Sequence, residues 1–183
     1  MNYIANMKLD GTLLTKLEKG KLSLEEIDKL EKKCFLSKFD SEDAYELGQF
    51  VRREVAETFP NKAVAINISL VNDHVLYHTV VGVASNDNDY WISRKKKTAL
   101  RFGHSSYYMR IAKGDKTPQE KFFVDPKDYA FHGGAVPIFL ENSDYPIAIL
   151  TVSGLKQHED HLFAVTSIIE YANKSREATL NLD

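Results

Sequence analysis

The sequence predicts an α+β fold in which an antiparallel β-sheet is covered by α-helices in layers. Three observations carry this reading. Two pairs of apolar segments, at 64–82 and 134–153, are each split by turn-forming residues, as hairpins are. Segments of helical period precede, separate and follow those pairs. Neither a G-x-G-x-x-G after a strand nor a G-x-x-x-x-G-K-S/T occurs, which argues against a doubly wound nucleotide-binding sheet.

The elements follow in order. Residues 1–22 lack a clear period and read as an N-terminal arm with a short helix at 13–17; residues 23–183 read as one domain. Ser23 and Glu26 form a capping box, and Leu24, Ile27, Leu30 and Cys34 continue it at helical spacing. A second helix starts near Asp40 or Ser41, buries Ala44, Leu47, Val51 and Val55, and ends before Pro60. Val64, Ile66, Ile68 and Leu70 then alternate as in a strand; Asn72-Asp73 is turn chemistry, and 74–82 returns. Asn86-Asp87-Asn88 caps a long helix expected to run to about Met109. Residues 134–140 and 146–153 make the second hairpin, and Asp160 caps a final helix that buries Leu162, Val165, Ile168, Ile169 and Ala172. The expected order is α-α-β-β-α-β-β-α.

Composition bounds the function classes. The chain has 183 residues and is 43% hydrophobic and 27% charged, so folding hides roughly 70% of its unfolded surface without staples. The single cysteine, Cys34, excludes an intrachain disulfide framework and a multi-cysteine zinc site, and its helical spacing suits a small core residue. No apolar run approaches the roughly 20 residues of a membrane span, and MNYIANMKLDG lacks a signal-peptide pattern. A soluble cytoplasmic protein is the expectation. The net charge of −2 hides an asymmetry: residues 94–121 hold nine basic and two acidic side chains. A local field of that size steers anionic partners. No aromatic-interleaved sheet motif accompanies it, so nucleic acid is not the expected partner.

Three segments carry chemistry. Around Trp91–Ser106, Trp91, Ile92, Thr98, Ala99 and Phe102 share an arc of about 120° with Lys95 at its centre. A lysine there must snorkel, find an anion or shift its pKa. Lys96, Lys97, Arg101 and His104 fall outside the arc, toward solvent or a partner, with Leu100 among them as a candidate contact. In Phe131–Pro137, Gly133-Gly134 permits close backbone approach and an anion nest, with His132 beside it as base, donor or iron ligand. In Val152–His161, Asp160 suits a cap, and His158 and His161 lack a third metal ligand. No metal site is expected.

Taken together, Trp91 with Arg94–Lys97 and Arg101-Phe102-Gly103-His104-Ser105-Ser106, then His132-Gly133-Gly134 with Pro137, then Val152-Ser153-Gly154-Leu155 with Glu159-Asp160-His161, resemble the haem-degrading-domain family. That family includes GlcG-like and HbpS-like proteins, and the chain is most similar to its cytosolic branch in fungi and bacteria. The resemblance spans about residues 23–173. It implies an antiparallel sheet flanked by helices and a homo-oligomer. It also implies a binding protein for a small anionic ligand, haem among the candidates.

The expected pocket is framed by Lys95, Arg101, His104, Ser105 and Ser106, facing His132, Gly133, Gly134, Asp160 and His161. An alternative is an oligomeric adaptor in a chaperone or membrane-protein targeting pathway, with Lys96, Lys97 and Leu100 meeting an acidic protein partner. A haem-degrading or other oxidative enzyme, with His132, Asp160 and His161 as acid/base groups, is a second alternative.

Overall fold

The computed structural model describes residues 7–180, with side chains through 177. Its elements are α1 (Gly11–Glu18), α2 (Leu24–Glu31), β1 (Phe35–Leu36), α3 (Ser41–Thr58), β2 (Val64–Leu70) and β3 (Val75–Val81). There follow α4 (Asn86–Phe102), α5 (Ser106–Lys113), α6 (Pro118–Phe122), β4 (Ala135–Leu140), β5 (Pro146–Ser153) and α7 (Gln157–Leu180). The strands form one sheet in the order β1-β4-β5-β2-β3. Both predicted hairpins are present, and β2 and β5 pair antiparallel to join them. The sheet is mixed rather than purely antiparallel, because β1 adds to β4 in parallel. Two residues are too few to show a strand period, so β1 was invisible in the pattern.

The two faces of the sheet differ in chemistry. Ile66, Ile68, Val136, Ile138, Leu150 and Val152 are fully buried on one face. They meet Leu47, Val51 and Val55 of α3 and Phe163, Val165 and Ile168 of α7 in the main core. Each such side chain contributes about 1.5–3 kcal/mol through burial. The opposite face carries Ala65, Asn67, Ser69, Ala135, Ile149, Thr151 and Ser153, all buried. Helix α4 packs across it, against β2, β4 and β5. Small and polar side chains there leave room for the two lysines that α4 brings down.

Three boundaries depart from expectation. The long helix stops at Phe102, because Gly103 takes a left-handed conformation (φ 67°) and Ser105 caps a separate α5 by accepting from the Tyr108 N–H. The last helix starts at Gln157, so Asp160 lies inside its first turns and not at the cap; Glu159 reaches back to the Lys156 N–H instead. The expected arm is packed from residue 7. Leu17 is 1% exposed, its carbonyl accepts from the Tyr107 hydroxyl, and the Met7 N–H donates to Glu54 at 3.0 Å.

Candidate functional site

The site begins with a lysine where a lysine is costly. Lys95 lies on the buried stripe of α4, and its ammonium is enclosed, with 4% of the side chain exposed. Of the three outcomes open to it, it finds an anion. Its Nζ donates to Asp160 Oδ2 at 2.8 Å, to the Val152 carbonyl at 3.3 Å and to Ser153 Oγ at 3.3 Å. All three donors are used. Asp160 is itself 2% exposed at the side chain, and its second oxygen accepts from the Leu155 N–H at 3.1 Å. Burial pushes the Asp160 carboxyl up to about 6, against the opposing pull of Lys95 and the backbone N–H groups. The pair ties α4 to the end of β5 and the start of α7.

The glycine pair makes this approach feasible. A Cβ on Gly134 would sit 2.2 Å from the Val152 carbonyl and 2.9 Å from Lys95 Nζ, at a φ of 131°. A Cβ on Gly133 would meet the Gln157 carbonyl at 2.1 Å. The two residues thus clear the space in which α7 begins.

Above this lock lies a cleft of about 310 Å³ lined by Asp87, Asn88, Trp91, His132, Leu155 and Gln157, with Lys95 and Asp160 at its floor. His132 is exposed at the rim, its ring edge-on to Trp91 with centroids 5.0 Å apart. Partial burial, then the charges of Arg110, Lys95, Arg94 and Lys113, hold it below the ordinary histidine value. It is a neutral imidazole at pH 7, in positive surroundings. Arg94 is fixed beside it by its bonds to the Pro126 carbonyl (2.7 and 3.2 Å) and by stacking 4.7 Å from the Trp91 ring.

The structure gathers Lys95, His132, Gly133, Gly134 and Asp160, and separates the other expected pocket residues. Arg101 is exposed and lies over the Phe102 and Tyr129 rings, beside a shallow hollow formed with Lys97, Leu100 and Asp128. Ser105 caps α5, and its N–H donates to Glu31 at 3.0 Å. Ser106 Oγ accepts from the Ala135 N–H at 3.1 Å. His104 stacks on Tyr108 at 3.9 Å with its Nδ1 3.4 Å from Glu31, and lines a different cavity of about 600 Å³ bordered by Asp28, Glu31, Glu141 and Asp144. His161 is fully buried against the Tyr107 ring and makes no hydrogen bond among the described residues; burial pushes it down to about 4.

The expected partner face also changes. Lys96 is 7% exposed and not solvent-facing: its ammonium meets Ser69 and Asp73. Asn67 and Ser69 widen the buried arc of α4 on that side. Lys97 is exposed and pairs with Asp128 at 3.0 Å, while Leu100 is half-buried against Ala99, Ala135 and Ile149. Among the described residues no cluster of three or more His, Cys, Asp or Glu could hold a metal ion, and no helix is long and apolar enough to cross a membrane. Asn88 and Gln157 also line the cleft; the sequence marks Asn88 only as a cap and gives Gln157 no role.

Residues 39–168 match the family described as Haem degrading protein HbpS-like. The chain is 62% identical over 176 residues to the UPF0303 protein YBR137W of Saccharomyces cerevisiae, covering 96% of this chain and 98% of that one. The crystal structure of Ybr137w protein superimposes with a TM-score of 0.92 at 60% identity, covering 93% of this chain and 99% of that one. The crystal structure of a PduOC:Heme complex shares the fold, with a TM-score of 0.60 at 17% identity over 74% of this chain and 95% of that one.

Proposed function

The chain belongs to the HbpS-like haem-degrading family, and from that premise we propose that it is a cytoplasmic homo-oligomeric binding protein for a planar anionic ligand, haem, held at the His132–Trp91 cleft. The observation that carries this reading is His132 itself. It is an exposed imidazole held below its ordinary pKa by partial burial and then by the charges of Arg110, Lys95, Arg94 and Lys113, with Asp87 as the cleft's other rim charge. An unprotonated imidazole offers iron a lone pair, and Arg or Lys groups suit haem propionates. The donor set therefore fits the group. Haem held there by His132 would supply an iron centre for small-ligand and redox chemistry.

The chain's own residues have distinct parts in this reading. His132 approaches the ligand, Trp91 offers it an aromatic edge, and the Lys95–Asp160 pair holds the floor rigid. Binding rather than turnover is favoured, because Asp160 is tied to Lys95 and His161 is sealed from the cleft. The cleft's 310 Å³ lies at the low end of the roughly 300–1,000 Å³ of ligand pockets, which suits entry of one edge of the ligand and cover by a second copy.

His104 does not suit the same ligand. Its cavity carries Asp28, Glu31, Glu141 and Asp144 against Lys32, and its Nδ1 already faces Glu31 at 3.4 Å. Haemin titration followed at the Soret band tests the assignment. A saturable shift that His132→Ala removes and His104→Ala leaves intact is expected. A shift of equal size in H132A overturns it.

A further inference from the structure

The sheet ends on a strand whose outer side meets no other strand among the described residues. β3 is last in the strand order and pairs with β2 alone. Edge strands are normally kept short, or guarded by lysine or proline, because their free N–H and C=O groups accept another strand. The opposite edge obeys this rule, since β1 has two residues. β3 has seven, Val-Leu-Tyr-His-Thr-Val-Val, without a lysine, a proline or an acid. Its one register shift lies opposite Ile68 and Ser69, so residues 77–81 run in regular register. Val75 is 49% exposed, and Leu76, Thr79, Val80 and Val81 are half-buried.

The helix beside that edge presents a matching face. At about 100° per residue, Tyr45, Gln49, Arg52 and Ala56 of α3 fall within an arc of about 60°, and all four are exposed. The arc adjoins Gly48, which lies directly on the Tyr77 ring, so it looks outward past β3. Tyr45 also meets Tyr77 edge-on, with centroids 6.3 Å apart. The strip carries one charge, Arg52, whereas Glu42, Glu46 and Glu57 occupy the next arc round the helix. Tyrosine and arginine are enriched at subunit interfaces, and glutamate is depleted there.

We infer that a second copy of this chain covers this edge about a two-fold axis beside Tyr77, with β3 pairing antiparallel to β3 and α3 packing antiparallel to α3. Rotation about that axis lays the strip on itself: Tyr45 meets Arg52 of the other copy, Gln49 meets Gly48, and Ser41 meets Ala56. The Arg52 guanidinium gains an aromatic face, and Gly48 lets the helices close in. The acidic first half of α3, Glu42 and Glu46, comes beside the basic step Arg52-Arg53. Strands pair about 4.8 Å apart, and α3 is set back over β2 and β3. The two α3 axes then lie at roughly the 8–10 Å of packed helices, so one axis satisfies both layers. On the other face of β3, His78 is already engaged by Asp89 of its own protomer at 3.3 Å. The contact is isologous, the same patch serving on both copies. This inference rests on the homo-oligomeric part of the proposed function and is independent of the haem assignment.

The test places a charge at the axis. Gln49 is exposed, so the protomer's fold tolerates a charge there. Across a two-fold it lies beside its own counterpart, and a charge of either sign repels itself. In a dilution series of the full chain by size-exclusion chromatography with light scattering, Q49E and Q49K are each expected to raise the protomer concentration at which this contact dissociates by at least roughly tenfold. An equal mixture of the two variants is expected to recover the wild-type value, which a contact between unlike patches does not do. The amides of β3 are expected to exchange hydrogen more slowly in the assembled wild type than in dissociated Q49E. A wild-type chain that is monomeric at every concentration overturns both this contact and the oligomer reading. An assembled wild type whose dissociation neither variant changes overturns the contact alone. Assembly in which the β3 amides gain no protection leaves that edge to a foreign strand and likewise overturns it.

Discussion

Replacing Lys95 by methionine isolates the cost of the carboxyl beneath the cleft. Methionine keeps the apolar stem and removes the charge. Burial already raises the Asp160 carboxyl from 3.8 to about 6 in the intact pair. A raised carboxyl means that the folded state holds a proton that the unfolded state has lost. Stability therefore falls as pH rises, by about 1.4 kcal/mol per pH unit, until the folded pKa is reached. In the wild type that fall spans pH 3.8 to 6 and amounts to about 3 kcal/mol. Without the Lys95 ammonium at 2.8 Å, the carboxyl ionises only at higher pH. The wild-type curve flattens above pH 6 while the K95M curve keeps falling. The difference between them is then small at pH 5 and grows by about 1.4 kcal/mol per unit above pH 6. Urea unfolding followed by fluorescence of Trp91, at pH 5, 6, 7 and 8, reads it directly. A difference that stays flat across this range would refute the reasoning, because it would mean that Lys95 contributes packing and not charge.

Other perturbations probe the neighbouring parts. Gly134→Ala forces a Cβ to 2.2 Å from the Val152 carbonyl at a φ of 131°, so a loss of more than about 3 kcal/mol in urea is expected. His161→Phe removes a histidine held down to about 4 from 6.5. A depressed histidine makes the fold lose stability as pH falls from 6.5 to 4, by up to about 3 kcal/mol. H161F should therefore gain on the wild type progressively over that window in thermal melts. An advantage independent of pH would instead assign the gain to packing.

What could be read from the sequence tracks how local each cause is. The hairpins and the stripe of α3 were legible because alternation and helical period are local signals, and Ile66, Leu47 and Val51 obey them. Lys95 was legible as an anomaly, since its angular position left it only snorkelling, an anion or a shifted pKa, although Asp160, 65 residues away, could not be named as its anion. Lys96 was misplaced for a physical reason. The wheel assumed an apolar partner surface, whereas the sheet face beneath α4 presents Asn67 and Ser69 and accepts a second ammonium. The break after Phe102 did have a local signal, a glycine followed two residues later by a serine able to cap. The arginine and aromatic run across it hid that signal. Glu31 met neither test: it is 3% exposed on a helix stripe that looked solvated, held there by the Ser105 N–H from across the fold.

The two histidines that looked equivalent in the sequence are sorted by charge. His132 stands among Arg94, Arg110 and Lys113, and His104 among Asp28, Glu31 and Tyr108. An anion approaching the chain meets cations at the first face, whereas at the second Lys32 and Arg176 offset Asp28 and Glu141 and leave Asp144 without an ion pair among the described residues. The same sorting explains why the overall charge of −2 says little about recognition. Fields fall off over about 8 Å at physiological salt, so each face is read by its own neighbours. Raising salt should therefore weaken ligand capture at His132.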